Sequence, residues 1–166
     1  MEILEIKDLE TLAKKRVPKM FFDYVNSGSW TETTYNENVS DFQKIKLRQR
    51  VAIDMSNRTL ETKMINQPVS MPVAIAPTGL TGMQRADGEI LAAQAAEEFG
   101  IPYTLSTMSV CSIEAVAEKT KKPFWFQLYV MKDKKFMERL IDRAKEAKCS
   151  ALVLTLDLQL LGQRHK

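Results

Sequence analysis

Two hydrophobic patterns divide the chain near residue 70. Before it, apolar positions recur at helical spacing inside short, polar-rich segments. Residues 7–16 place Leu9, Leu12 and Ala13 on one face of a short helix. Pro18 suits the first turn of a second helix over 18–27, closed by Gly28. Tyr24 stands there among Phe21, Phe22 and Val25, where a packed aromatic is the plain reading. A third, more polar helix is expected over 31–42, around Trp30 and Tyr35. Residues 44–51 then alternate, with Lys44, Lys46, Arg48 and Arg50 on one side. That fits a solvated strand edge protected by charge, with an anion-binding surface as the second reading. Residues 60–71 read as two short strands around Asn66, Gln67 and Pro68.

From residue 71 the pattern changes to short apolar runs alternating with amphipathic stretches. The first run, 72–76, stops at Pro77 and feeds Thr78, Gly79 and Gly82 before a helix from about Asp87 to Phe99, ended by Gly100. Its unbroken apolar character predicts a parallel strand buried on both faces. The second strand is 101–106, and its helix starts at Ser112, with Glu114 in the first turn where the helix dipole favours an anion. The third is 123–129, followed by a helix over 132–148 that stripes Phe136, Met137, Leu140, Ile141 and Ala144. The fourth is 151–157. Such alternation implies four parallel strands with right-handed crossovers, either an open sheet or the first half of a longer barrel.

Each predicted strand ends in hydrogen-bonding groups. Pro77 lacks an N–H, but Thr78 and Gly79 keep theirs, and glycine lets another molecule approach the backbone. Ser106 and Thr107 end the second strand. Period-two alternation puts Gln127 with Tyr129 on one face, and Thr155 with Asp157 on another. Arg164 lies further out. Polar groups at the same end of successive parallel strands are what a ligand site in an α/β protein requires. Amide, hydroxyl and backbone N–H donors suit a planar heterocycle beside a small charged substrate. Metal-ligand spacing is absent from the sequence, as is the phosphate-binding GxxxxGK[ST] pattern.

Composition narrows the class. Of 166 residues, 45% are hydrophobic and 27% charged, as in an ordinary globular domain. A net charge of +3 gives no reason to expect a nucleic-acid partner. Cys111 and Cys149 read as free thiols in a reducing compartment. The N-terminus lacks a signal peptide's apolar core, and no run approaches the roughly 18 apolar residues of a membrane span. A cytoplasmic protein is expected, with peripheral attachment to the inner face of the membrane left open.

The motifs Pro-Val-Ala-Ile-Ala-Pro-Thr-Gly (72–79), Tyr-Thr-Leu-Ser-Thr (103–107), Trp-Phe-Gln-Leu-Tyr-Val (125–130), Leu-Thr-Leu-Asp (154–157) and Leu-Gly-Gln-Arg (161–164) follow one another across the chain, after an early Phe-Asp-Tyr and Ser-Gly within 22–28. In this order and spacing they resemble the FMN-dependent 2-hydroxy-acid dehydrogenase/oxidase family, which includes glycolate oxidase and the flavin-linked L-lactate dehydrogenases. The wording around Met108 is closest to the bacterial L-lactate branch. The resemblance implies the first half of a (β/α)₈ TIM barrel, preceded by a helical and hairpin segment over 1–70 with Tyr24 near the strands' C-terminal ends. It implies FMN as cofactor and a small L-2-hydroxy acid as substrate, oxidised to the 2-keto acid by hydride transfer or through a carbanion. Pro77, Thr78 and Gly79 would lie against the flavin ring, and Ser106, Gln127 and Thr155 would hydrogen-bond its polar edge. Tyr24, Tyr129 and Arg164 would face the substrate. Tyr129 and Asp157 would take catalytic parts, Asp157 by orienting the family's histidine base.

That histidine, its neighbouring arginine, a lysine near the flavin and the phosphate-binding loops belong to the family's second half. His165 is the sole histidine, and a solvent-facing loop position is expected for it. The chain alone is therefore expected to be inactive, its partners being a complementary C-terminal half-barrel and, when complete, further copies of itself. The other reading is a non-catalytic open α/β half-barrel serving as a binding or structural module.

Overall fold

The computed structural model describes residues 2–165. They form two compact units, one comprising the chain up to Arg58 together with Leu160 onward, the other Thr59–Gln159. The hairpin therefore belongs with the parallel strands, and the division expected at residue 70 falls after Arg58. Ser70 explains this, because its N–H donates to the Gly100 carbonyl and its hydroxyl to that of Phe99.

In the larger unit, β1 (Thr62–Met64) and β2 (Gln67–Val69) pair antiparallel. A two-residue turn, Ile65 and Asn66, joins them with φ of 46° and 61°. Positive φ at both central residues is the turn geometry that matches strand twist. Helix α4 (Thr81–Gln84) precedes α5 (Gly88–Phe99), β3 (Thr104–Leu105), α6 (Ile113–Lys119), β4 (Trp125–Tyr129), α7 (Lys134–Glu146) and β5 (Ala151–Thr155). The sheet order is β3-β4-β5, all parallel, with Thr104 opposite Trp125 and Gln127 opposite Val153.

The expected first strand, 72–76, is reduced to one parallel bridge between Ile75 and Tyr103. Ile75 donates to the Pro102 carbonyl and accepts from Thr104, while Val73 turns its N–H back to Met71. Pro72 and Pro77 flank this stretch without a donor, so the ladder cannot lengthen in either direction. Nor is the run buried on both faces, since Val73 and Ile75 are exposed.

The three longer helices begin and end where local chemistry dictates. Ser112 and Asp133 cap α6 and α7 by accepting from the N–H groups of Ala115 and Phe136. Gly100, at φ 72°, ends α5 in the left-handed conformation that favours glycine. Ala93, Ala96, Ile113, Val116, Leu140 and Ala144 pack with Tyr103, Leu105, Phe124, Phe126 and Leu128 into one core. The short α4 has no counterpart in the hydrophobic pattern.

The smaller unit contains α1 (Ile6–Arg16), α2 (Lys19–Val25), α3 (Thr33–Ser40) and a 3₁₀ turn, Asp41–Lys44. Pro18 is the N-cap residue rather than part of the first turn, and Asn26, not Gly28, closes α2. Gly28 is instead pressed under Tyr35, whose Cβ would lie 2.7 Å from an added methyl. The alternating segment 44–51 forms no strand, and its charged and apolar side chains alike are exposed.

Candidate functional site

The polar ends of the parallel strands form one hydrogen-bonded chain. Ser106 follows β3 directly, Gln127 sits in β4, and Thr155 ends β5. The Ser106 hydroxyl donates to Gln127 Oε1 at 3.3 Å, and Gln127 Nε2 donates to Thr155 Oγ1 at 2.7 Å. Thr107 braces the centre: its N–H donates to Gln127 Oε1 at 3.2 Å and its hydroxyl to the Gln127 carbonyl at 2.5 Å. Met108 N–H donates to Ser106 Oγ at 3.1 Å. Gln127 is only 1% exposed and Ser106 2%, so their orientations are held by these partners rather than by solvent.

A donor count shows what this chain offers. Gln127 Oε1 already accepts twice, and Nε2 spends one of its two protons on Thr155. The second amide proton and the Thr155 hydroxyl proton remain. The row therefore presents donors, which matches a ligand edge of carbonyl oxygens and ring nitrogens.

The loop after residue 76 adds to this. Thr78 is exposed and Gly79 half-buried, and among the described residues neither N–H has a partner. The next residue does: Leu80 N–H donates to the Met108 carbonyl at 2.9 Å, tying this loop to the one after β3. Leu80 takes a φ of 56°, an uncommon value for a non-glycine residue, and the bond helps to hold it there.

Tyr129 ends β4 directly opposite Thr155 and on the same face as Gln127. Asp157 lies two residues past β5, exposed, with no hydrogen bond or ion pair among the described residues. The remaining two sequence-derived positions lie in the smaller unit. There the Arg164 guanidinium stacks over the Tyr24 ring at 4.9 Å and donates to the Tyr24 carbonyl. Gln163 accepts from Trp30 N–H at 2.9 Å, which seats the same tail on the 28–30 turn. His165 is exposed beside the Trp30 ring. No group of three or more metal-ligating side chains occurs among the described residues.

One residue escaped the sequence reading. Glu89, in the first turn of α5, is 0% exposed. Its Oε1 accepts from Gly82 N–H at 3.0 Å and Val110 N–H at 2.9 Å. Burial acts to raise its pKa, but the N–H groups of Val110 and Gly82, together with its own N–H and the Cys111 side chain, outweigh it and hold the carboxyl below its ordinary value. The neighbouring Cys111 thiol is pushed up by burial and by Glu89. The signal was present in the pattern: Glu89 lies on the same helical stripe as buried Ala93 and Ala96.

Comparison with known proteins concerns the chain as a whole. A family profile described as FMN-dependent dehydrogenase matches residues 13–166. An L-lactate dehydrogenase of Acinetobacter baylyi is 49% identical over 166 residues, covering 100% of this chain and 43% of the relative. Among solved structures, a soluble mutant of the membrane-associated (S)-mandelate dehydrogenase from Pseudomonas putida superposes with a TM-score of 0.93 at 35% identity, covering 98% of this chain and 46% of that one. A mandelate oxidase mutant with (S)-mandelic acid gives a TM-score of 0.89 at 32% identity over 95% of this chain and 47% of that one. The chain thus spans less than half the length of these relatives.

Proposed function

The chain belongs to the FMN-dependent dehydrogenase family, and on that premise we propose that it carries the flavin-ring and part of the substrate half of an enzyme oxidising a small L-2-hydroxy acid, L-lactate in the first instance. The observation that carries this reading is the buried row Ser106–Gln127–Thr155, which leaves donors at the C-terminal ends of three parallel strands. Thr78 and Gly79 add backbone N–H groups from the neighbouring loop. These residues fit the donor-hungry edge of a flavin. When bound, FMN supplies the two-electron oxidant that converts a 2-hydroxy acid to a 2-keto acid.

Each remaining role follows from side-chain chemistry. Gln127 and Thr155 hold the ring's polar edge, with Ser106 fixing the Gln127 amide. Tyr129 presents its phenol on the Gln127 face of the sheet, where it serves as a substrate contact and hydrogen-bond partner during proton movement. Arg164, pre-ordered on Tyr24, supplies charge for the substrate carboxylate. Asp157 is an unengaged carboxylate, available to orient a histidine base and to stabilise its cationic form. No such base exists among these 166 residues, whose one histidine, His165, is exposed beside Trp30. We assign that base, a second arginine and the phosphate site to a complementary half-barrel, and a homo-oligomer to the completed protein. The named mandelate dehydrogenase is membrane-associated, and peripheral attachment is part of this proposal. No helix among the described residues is long and apolar enough to cross a membrane.

These residues alone should turn over no L-lactate, because a positioned general base is worth about 10²–10⁴-fold. The assay is L-lactate-dependent reduction of an artificial electron acceptor. The chain with FMN should bind the flavin weakly and be inactive, and adding the C-terminal half of a homologous L-lactate dehydrogenase in trans should bring tight flavin binding and turnover together. Robust turnover by the chain alone, surviving His165→Ala, would contradict the proposal.

A further inference from the structure

We infer that Glu89 is a positioning residue that clamps the loop carrying Thr78 and Gly79 to the loop after β3, and thereby fixes the backbone donors offered to the flavin. The inference rests on the flavin reading of that loop.

A buried carboxylate on the apolar stripe of a helix is costly unless it is well partnered. Glu89 is fully buried, and its Oε1 accepts from two backbone N–H groups, Gly82 in the short α4 that ends the loop after the first run and Val110 in the loop after β3. One oxygen thus joins two loops that are 28 residues apart at the bonded positions, Gly82 and Val110. The Leu80 to Met108 bond joins the same two loops from the other side. Between them, the spacing leaves no room for side chains. A methyl at Gly82 would lie 2.7 Å from Val110 Cβ and 3.0 Å from Glu89 Oε2. One at Gly88 would lie 2.7 Å from the Thr81 carbonyl oxygen. This close packing fixes the separation of the two segments.

The pairing is charge-assisted, which makes it stronger than neutral amide bonds and specific in direction. Glu89 Oε2 is buried and lacks a hydrogen-bond partner among the described residues. Thr78 and Gly79 lie four and three residues before Gly82, too close along the chain to move independently of it.

Amide hydrogen exchange and FMN titration on the full chain decide the matter, with Glu89→Gln, Glu89→Ala and the core control Leu140→Ala. Glu89→Gln preserves shape and one acceptor, and so covers the case in which Glu89→Ala fails to fold. Exchange at Leu80, Gly82 and Val110 should quicken by about tenfold or more in the Glu89 variants while Phe126 and Leu128 keep their protection. FMN affinity should fall in parallel, less in Glu89→Gln than in Glu89→Ala. In Leu140→Ala, all amides should loosen together. Uniform loosening in the Glu89 variants, or unchanged exchange at Gly82 and Val110, would overturn the clamp. Selective loosening with undiminished FMN affinity would overturn its link to the flavin. An unmodified chain that binds no FMN would overturn the flavin reading itself, while the exchange pattern still judges the clamp.

Discussion

At the scale of single residues, the site depends on who donates to whom. Thr155 Oγ1 accepts from Gln127 Nε2, so Thr155→Val removes that acceptor and one outward donor while keeping the side chain's shape. A net hydrogen bond is worth about 0.5–1.5 kcal/mol. FMN affinity should therefore drop about three- to tenfold, read by flavin fluorescence, with little change in far-UV circular dichroism. The shared strand face of Gln127, Tyr129 and Thr155 was legible because period-two alternation is rigid inside a strand. Ser106 was legible because it follows an apolar run. Glu89 was not, because an acid in a helix's first turn ordinarily caps in solvent, and only its place on the Ala93–Ala96 stripe distinguishes it.

At the scale of elements, polar contacts between neighbours set helix placement. Glu114 and Arg143 form a two-pronged ion pair, 2.7 and 2.8 Å, joining α6 to α7. Arg143's hydrogen bond draws the Glu114 carboxyl down to about 2. An unfolded glutamate titrates near 4.3. The pair's contribution is thus complete above that value and is lost as pH falls from there toward 2. Both partners are substantially exposed, so its size at pH 7 should be about 0.5–1 kcal/mol. A double-mutant cycle with Glu114→Gln and Arg143→Met, by urea unfolding at pH 7 and pH 2.5, should show coupling at the first and little at the second. The hairpin turn offers an opposite case. Ile65 is β-branched yet held at φ 46°. Ile65→Asn should raise stability by roughly 1 kcal/mol, seen as a higher urea midpoint. A lower midpoint would mean that Ile65 packing outweighs its backbone strain. Helices α5, α6 and α7 were readable because caps and apolar stripes agree. The first strand was over-read: an apolar run looks like a strand, but two flanking prolines limit its pairing to Ile75.

At the scale of the whole molecule, apolar surface is the unresolved feature of the fold. On β5, Leu152 and Leu154 are each 49% exposed, on the face that buries Phe126 and Leu128 in the adjacent strand. β5 also ends the sheet order and, among the described residues, leaves one backbone edge unpaired. Unpaired edges and contiguous apolar patches promote association. Leu154→Lys should shift the purified chain toward smaller species by light scattering, with the helix signal retained. The layout of strands and helices was readable because each unit is local in sequence. The exposure of β5 was not, because burial depends on what packs against a strand, and no pattern within 151–155 records that.

The proposed flavin site is tested most directly by titrating FMN with the purified chain and with Gln127→Glu, which keeps the side chain's shape but replaces the donating amide by a carboxylate. The expected result is weak, saturable quenching of flavin fluorescence by the unmodified chain, and at least about tenfold weaker binding by the variant. Equal binding by both would contradict the assignment of the Ser106–Gln127–Thr155 row to the flavin edge. No binding by the unmodified chain would contradict the flavin site itself.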